Sequence, residues 1–394
     1  MQLGRAGRVF AGVAGLFFGS LHVTPARADE GSTLTAHAST EIAGYHDSTA
    51  TTVLTPSIAG SVESPTAGWG VNGRYLVDIV TAASPDIVST ASPRWTEVRN
   101  AGGLGFRYKP GTFGVAVSTS ASYTPDYLAL GANGQVTQEL DEKNLTLLAG
   151  YGYGHDTIGR TGTPFSVFSR SLGYHTINAG LSKVVNKALV IGVYGDAIFE
   201  SGDQSKPYRY VPIFSAADAA KVPRGASLAE ISTLRIQARP IEQLPLERER
   251  YAVTGRLAWR GESTTLRLEE RGYVDTWGVK ATTTDVRYFI DLSERFTVWP
   301  HLRVHAQSAV SFWKRAYVGD LDTLPALRTG DRELGALTSL GGGGGLRLAL
   351  GKTGSVDDWV VTTTVDGNYT SFSDTLYVKY RTSGLAAVGL EVTF

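Results

Sequence analysis

Apolar and polar residues alternate along most of the chain, most clearly near its C-terminal end. From Leu376 to Phe394, one parity is mostly apolar, while the other carries Lys379, Arg381 and Glu391 among small residues. A period of two is typical of a β-strand, and an apolar face opposite a polar face is typical of a strand between lipid and water. The pattern therefore predicts an all-β chain that crosses a membrane.

The same alternation predicts sixteen strands, with fourteen or eighteen as open alternatives. The predicted strands lie near 33–45, 51–63, 68–80, 95–108, 112–123, 127–140, 143–155, 172–184, 187–199, 249–260, 263–276, 279–292, 295–312, 334–350, 357–371 and 376–394. An even number of strands returns both termini to the same side of the membrane. The predicted fold is a transmembrane antiparallel up-and-down β-barrel.

The predicted connections alternate between short and long. Short turns fall at 64–67, 109–111 and 141–142. Long connections fall near 81–94, 156–171, 200–248 and 313–333. All the long connections lie at one end of the predicted barrel, which is the asymmetry expected between short periplasmic turns and long extracellular loops.

The first 28 residues have the features of a secretory signal peptide. Arg5 and Arg8 precede an apolar run from Val9 to Leu21, and a small-x-small cleavage site ends at Ala28. The run is shorter than the roughly 20 apolar residues of a membrane-spanning helix, and glycines interrupt it. We therefore predict a cleaved signal peptide, 1–28, and an exported barrel, 29–394.

The composition supports a strand-rich fold and excludes several kinds of chemistry. The chain has 46 Gly and no Cys, so disulfides, thiolate metal sites and covalent haem attachment are unavailable. It carries 37 basic and 37 acidic residues, and this balance gives no argument for nucleic-acid binding. A soluble sandwich or propeller is the alternative fold, but its buried face would be richer in Leu, Ile and Phe.

Aromatic residues near the predicted strand ends indicate girdles at the two membrane interfaces. They are Trp69, Trp95, Tyr108, Tyr123, Trp259, Trp277, Trp313, Trp359 and Tyr377. The terminal Phe394 resembles the C-terminal signal by which the barrel-assembly machinery reads outer-membrane barrels. We therefore predict contact with that machinery and with outer-membrane lipid, in the outer membrane of a Gram-negative bacterium.

The segment from Arg74 to Tyr108 contains a doubled phrase, 80–86 and 88–94, between two predicted strands. This segment resembles the family catalogued as domain of unknown function 3570, and the resemblance implies an outer-membrane barrel of unassigned activity. Two prolines give the loop between the strands fixed corners, so it is predicted either to constrict the lumen or to cap it. The residues assigned to this loop are Ser84, Pro85, Asp86, Ser92 and Pro93.

Charged residues cluster on the parity that faces the predicted lumen. They are Arg74, Asp78, Glu97, Arg99, Arg256, Arg267, Glu269, Arg271, Asp275, Asp285, Arg287, His301, Arg303, His305, Lys379 and Arg381. Alternating signs on one wall would orient dipolar solutes, or the charges would pair across strands to stabilise a wet interior. Glu270 falls on the lipid parity, which suggests a bulge or a shift of register nearby.

Sites for metals and for covalent catalysis are not expected. His301 and His305 lie four residues apart on one strand, roughly 13 Å, so they cannot share an ion. The chain has no Gly-x-Ser-x-Gly elbow, so a hydrolase at the rim is a weak alternative. We predict no cofactor and no enzymatic activity.

Two segments bear on access to the lumen. The connection near 200–248 mixes apolar clusters with prolines and arginines, and we predict that it folds over or into the mouth, where its arginines would meet Glu269, Asp275 or Asp285. The glycines at 341–345 predict either a bulge or a bare wall that receives this connection. The predicted function is a channel for small polar solutes, and the alternative is a plugged barrel that docks periplasmic or surface partners.

Overall fold

The computed structural model describes residues 34–82, 95–320, 322–354 and 356–394. The predicted signal peptide therefore lies outside the described residues, as does the candidate constriction loop. The loop residues concerned are Ser84, Pro85, Asp86, Ser92 and Pro93.

Sixteen antiparallel strands form one closed barrel, in which each strand pairs with its neighbours in sequence and the first pairs with the last. The strands are β1 (Thr35–Asp47), β2 (Thr51–Ser64), β3 (Trp69–Ala82), β4 (Trp95–Tyr108), β5 (Phe113–Thr124), β6 (Tyr127–Leu140), β7 (Leu145–Ile158), β8 (Arg170–Asn186), β9 (Leu189–Gly202), β10 (Glu247–Arg260), β11 (Thr264–Asp275), β12 (Lys280–Asp291), β13 (Phe296–Gln307), β14 (Leu337–Ala349), β15 (Asp358–Phe372) and β16 (Tyr380–Thr393). The predicted fold class and strand number are confirmed.

The alternation of the sequence becomes an inner and an outer face of the barrel. In β10, Arg250 and Thr254 are buried on the inside, while Tyr251 and Val253 are exposed on the outside. Leu104, on the outer parity of β4, is 67% exposed. Large apolar side chains are exposed in this way around the barrel, an arrangement that is stable against lipid and is a liability in water. The exterior is therefore a lipid-facing surface.

Three aromatic residues that were predicted to belong to the interface girdles lie elsewhere. Trp277 is 4% exposed, and Trp313 and Tyr377 pack against buried apolar clusters at one end of the barrel. The last strand begins at Tyr380 rather than near Leu376, because the preceding segment turns through a positive φ of 61° at Tyr377. For these residues the prediction was wrong, since loop packing rather than strand periodicity decides their environment.

The long described connections lie at the barrel end opposite the chain termini. They are 159–169, 203–246 and 308–336, whereas connections at the end of the termini contain at most the eight residues 350–357. Gly202 N donates a hydrogen bond to Leu246 O at 2.9 Å, so the two ends of the longest connection meet. The assignment of this end to the extracellular side stays a prediction.

Two of these connections, 203–246 and 308–336, fold together into a unit that we call the cap. The two-residue strands Ile213–Phe214 and Tyr317–Val318 pair in parallel and join the two connections. The cap also contains α1 (Ala216–Ala219), α2 (Leu228–Leu234) and a 3₁₀ turn (Arg332–Leu334). Ser227 and Glu230 form a capping box that begins α2, but helices this short need tertiary packing to persist.

That packing comes from small apolar cores. Phe214, Val222 and Ile231 are fully or nearly fully buried in one cluster, which also contains Ala226 and contacts Leu376. A second cluster joins Val211, Ile213 and Tyr317. A third joins Leu244 of the cap to Trp277 and Val279 at the barrel rim. The cap is therefore an ordered part of the protein with several cores and a hydrophobic attachment to the wall.

Strand β14 contains the five glycines and pairs in continuous register with β13 and β15, so the predicted bulge is wrong. The wall is not left bare for the cap, because neighbouring side chains occupy it. A β-carbon at Gly345 would overlap the Trp299 indole, and one at Gly343 would overlap the Val365 carbonyl. Glu270 likewise lies in continuous register, and its carboxylate accepts hydrogen bonds from Thr282 and Thr284 on the outer face.

Candidate functional site: the charged lumen and its cap

The lumen has two unlike sides. We call the luminal face of β9 to β13 the charged wall and the luminal face of β5 to β7 the small-residue wall. Luminal positions of the small-residue wall include Ser118, Ser120, Ser122, Ala129, Gly131, Asn133, Gly150, Gly152 and Gly154. The small-residue wall carries few charges of its own and is separated from the charged wall by β8.

The capped end of the charged wall holds two buried ion pairs. Arg250 Nη2 lies 2.8 Å from Glu200 Oε2, and the side chains are only 2% and 3% exposed. Arg248 Nε donates to Asp275 Oδ2 at 2.9 Å, and Tyr273 donates to the same oxygen at 2.8 Å. Charges buried this deeply need such partners, so both pairs fix the geometry of the wall.

Half-exposed pairs continue along the wall. Arg256 Nε lies 2.7 Å from Glu269 Oε2, and its guanidinium stacks 4.7 Å from the centroid of the Tyr194 ring. Arg271 Nη2 lies 3.2 Å from Asp196 Oδ2. The charges at these positions are thus held in place by cross-strand contacts rather than free in solvent.

Asp285 is the most connected carboxylate of the wall. Its oxygens lie 2.9 Å from His301 Nε2, 3.3 Å from Arg287 Nε and 3.5 Å from Arg303 Nη1. The other ring nitrogen of His301 lies 2.8 Å from Asp366 Oδ1. The His301 ring therefore lies between two carboxylates on different strands.

Three luminal arginines form no ion pair with the part of the chain that the structure describes: Arg74, Arg267 and Arg347. Arg267 instead stacks with its guanidinium carbon 4.7 Å from the centroid of Phe289. His305 Nδ1 lies 2.8 Å from the Thr283 hydroxyl and so is held within the wall.

The second predicted group, on β3 and β4, is organised around Asp78. Arg99 Nη2 lies 2.6 Å from Asp78 Oδ2, and the Thr55 hydroxyl donates to Asp78 Oδ1 at 2.6 Å. Arg74 and Glu97 occupy the luminal parity of the same two strands. This group is separated from the charged wall by β5 to β8 on one side and by β14 to β2 on the other.

A buried polar cluster holds the two halves of the cap together. Glu242 is 3% exposed and accepts hydrogen bonds from Arg209 Nη1 at 3.2 Å and from the Thr329 hydroxyl at 2.7 Å. Arg209 Nη1 also lies 2.6 Å from Asp331 Oδ2. Burial alone would raise the pKa of Asp331, but Arg209 and Lys206 together hold that pKa well below its usual range.

The cap reaches several separate parts of the barrel rim. Tyr208 donates to Asp126, between β5 and β6, at 3.1 Å. Arg332 Nη2 lies 3.4 Å from the Thr49 hydroxyl, between β1 and β2. Arg381 Nη1 of β16 lies 2.9 Å from Glu333 of the cap. Because these contacts surround the opening, the cap spans the mouth.

Its arginines do not meet the wall carboxylates that the sequence suggested. Asp275, Glu269 and Asp285 form ion pairs with arginines of the charged wall itself. Arg224 of the cap instead donates to the Phe372 carbonyl at 2.6 Å. That part of the prediction was wrong, since arginines of the same or an adjacent strand lie near these carboxylates.

The remaining predicted residues lie at opposite ends of the last strand. Lys379 precedes β16, and its aliphatic stem lies beside Gly225 of the cap. Phe394 N donates to Ala36 O at 2.9 Å, so the chain end is paired with β1, and its side chain is 47% exposed. Within the described ranges, no three acidic or histidine side chains are grouped so that they could hold a metal ion.

Several residues of the site were missed by sequence analysis. Asp196 and Asp366 share the luminal parity of their strands, so the alternation alone could have identified them. Glu200 lies one residue beyond the predicted end of its strand. The strand alternation does not mark Glu242 and Asp331, because both lie in connections and their partners are distant in sequence.

A closed sixteen-stranded barrel with an apolar exterior and a charged lumen defines an outer-membrane β-barrel, a protein of the Gram-negative outer membrane. The model of the family described as "Protein of unknown function (DUF3570)" matches residues 173–360, from β8 into β15. The match confirms the resemblance to this family and includes the charged wall and the cap. No curated protein matches the chain.

Solved structures share the barrel fold at low sequence identity. A BenF-like porin from Pseudomonas fluorescens Pf-5 is 7% identical with a TM-score of 0.45, and the alignment covers 92% of this chain and 99% of the porin. The siderophore receptor PirA from Acinetobacter baumannii is 9% identical with a TM-score of 0.41, covering 87% of this chain and 54% of the receptor. CdiB from Acinetobacter baumannii is 8% identical with a TM-score of 0.45, and the alignment covers 92% of this chain and 60% of CdiB. The chain thus spans about half of the receptor, and these similarities concern the fold alone.

Proposed function

We propose that the protein is a gated conduit for small polar solutes across the outer membrane. The observation that carries the proposal is a cap, tied to the rim on several sides, above a lumen with one charged wall. A barrel of sixteen strands encloses more space than wall side chains alone fill. Water and small solutes would occupy that space.

The charged wall suits passage because its ion pairs are already satisfied. Arg256 with Glu269, and Arg271 with Asp196, keep opposite charges close together and partly exposed to the lumen. A solute dipole would align in the field of such pairs without having to break them. The small-residue wall leaves room beside them.

The cap is suited to act as a gate because a small buried polar cluster joins its two connections. Arg209, Glu242 and Asp331 join the 203–246 and 308–336 connections through buried contacts. Loss of one partner from a buried pair costs about 3–5 kcal/mol, which is enough to populate an open or disordered cap.

A second function, a plugged barrel that docks other proteins, is favoured by the cap's own apolar cores. A cap that is always closed would block solutes and present a rigid surface instead. The two functions differ in whether the cap ever opens in the intact protein.

Liposome swelling in arabinose tests the proposal. We expect swelling with the intact protein and faster swelling with Glu242→Gln, which weakens the buried cluster. Asp322→Asn is the matched control, because it removes the same charge from an exposed position of the cap. Absence of swelling with both the intact protein and Glu242→Gln, in correctly inserted barrels, would contradict the conduit and support the plugged barrel.

A further inference from the structure

We propose that the charged wall contains a binding site for organic carboxylates with a flat apolar body, built from Arg267, Arg287 and the rings of Phe289 and Trp299. The inference deepens the conduit function, on which any role in transport rests. Binding itself requires no conduction.

The first observation is a like-charge pair. Arg267 and Arg287 are direct cross-strand partners on β11 and β12, and both side chains take the luminal parity. Like charges placed opposite each other in a sheet are destabilising. Arg287 lies 3.3 Å from Asp285, a carboxylate that also serves His301 and Arg303, while Arg267 has no carboxylate partner among the residues that the structure describes. An added anion between the two guanidinium groups would relieve their repulsion.

The second observation is an aromatic shelf beside this pair. The rings of Phe289 and Trp299 lie with their centroids 5.3 Å apart and their planes inclined by 33°. The Trp299 indole lies against Gly345, where a β-carbon would overlap it, so this glycine makes room for the ring on the wall. Two neighbouring rings on a luminal surface form an apolar patch among charges.

The geometry of Arg267 connects the two features. Its guanidinium carbon lies over the Phe289 ring, 4.7 Å from the ring centroid, in a cation–π contact. A cation–π contact does not use up the N–H donors of the guanidinium group. A ligand carboxylate can therefore accept hydrogen bonds from the Arg267 N–H groups while the apolar body of the ligand lies on the two rings.

Arg347 extends the positive side of the site. It occupies the luminal parity of β14 two residues beyond Gly345 and forms no ion pair with any residue that the structure describes. Arg267 on β11 and Arg347 on β14 thus lie on the two sides of the shelf, and neither forms an ion pair with a described residue. Guanidinium groups favour planar oxyanions, and aromatic rings favour flat apolar bodies, so the combination selects an anion such as benzoate.

The test uses benzoate as the probe and calorimetric binding to the full-length barrel in detergent. We expect Arg267→Gln to weaken benzoate binding about tenfold, which is the size expected for one charged hydrogen bond. Trp299→Ala should weaken it as well, while benzyl alcohol, which lacks the carboxylate, should bind much more weakly to the intact protein. Arg107→Gln is the matched control, because it removes a luminal arginine of β4, far from the shelf around the barrel.

Unchanged benzoate affinity in Arg267→Gln would overturn the proposal, as would benzoate that does not bind to the intact protein. Equal affinity for gluconate or inorganic phosphate would overturn the assignment of a flat apolar body. Benzoate binding that depends on Arg267, in a protein that passes no solute into liposomes, would support this site and contradict the conduit function separately.

Discussion

The charged wall and the small-residue wall are parts of one sheet with the same strand geometry, yet their luminal side chains differ. One wall carries paired charges, and the other carries mainly small residues. The charged wall keeps its arginines and carboxylates in defined pairs, from the buried Arg250 with Glu200 to the half-exposed Arg256 with Glu269. On the small-residue wall, side chains such as Ser120 and Gly152 leave the lumen open. The difference teaches that open space and fixed charges are assigned to different strands of this barrel.

The largest effect expected from this difference is on stability. Glu200→Gln would leave Arg250 buried without its partner and lower the free energy of unfolding by about 3–5 kcal/mol. Glu63→Gln is the comparison, because its partner Arg107 is 59% exposed, and an exposed pair contributes about 1 kcal/mol or less. Urea unfolding of the barrel in liposomes measures both values. Equal losses for the two variants would mean that the charged wall is no more tightly paired than its surroundings.

A second prediction sharpens the division between the lumen and lipid, on which the comparison of walls depends. Leu390 and Glu391 lie on opposite faces of β16. Leu390→Arg puts a charge into lipid three residues before the end of β16, so it should destabilise the inserted barrel by less than the roughly 2–4 kcal/mol expected at the bilayer midplane, while Glu391→Arg should cost less still. The heat-modifiable band on unboiled gels reports the folded fraction of each variant. Equal assembly of both variants would contradict the inner and outer faces described here.

A smaller effect distinguishes the glycines of the two sides. Gly343 lies on the luminal parity of β14, beside the charged wall, and Gly343→Ala would force a methyl group against the Val365 carbonyl. We expect a loss of about 1–3 kcal/mol, the usual cost of overpacking. Gly152→Ala on the small-residue wall places its methyl 3.5 Å from the nearest atom and should cost little. Urea unfolding compares the two, and a larger loss at Gly152 would reverse the assignment of crowded and open regions.

The walls could be predicted from the sequence far better than the cap. Strands β4 and β6 have the predicted bounds, 95–108 and 127–140, because the alternation that places side chains in lipid or lumen is a local property. The same alternation identified Asp285 and Arg287 as luminal positions. The alternation did not identify Phe289 as part of a site, because it associates luminal positions with polar residues and Phe289 is apolar.

The cap depends on contacts that no local pattern contains. Arg209, Glu242 and Asp331 meet only after two connections on opposite sides of four strands have folded together. Trp277 and Trp313 were expected at the membrane interface because their position near strand ends is typical of girdles. Their packing depends on a cluster that brings together Leu244 of the 203–246 connection, Trp277 of the 276–279 connection and Trp313 of the 308–336 connection.

The most direct test of the gated conduit is single-channel conductance in a planar bilayer. The ends of the 203–246 connection are hydrogen-bonded through Gly202 and Leu246, so a short Gly-Ser linker can replace 206–242 without moving β9 or β10. We predict that this variant inserts and conducts more than the intact protein, because most of one of the two connections that form its cap is gone. Unchanged conductance in a well-inserted variant would contradict the gate, and zero conductance in both proteins would contradict the conduit itself.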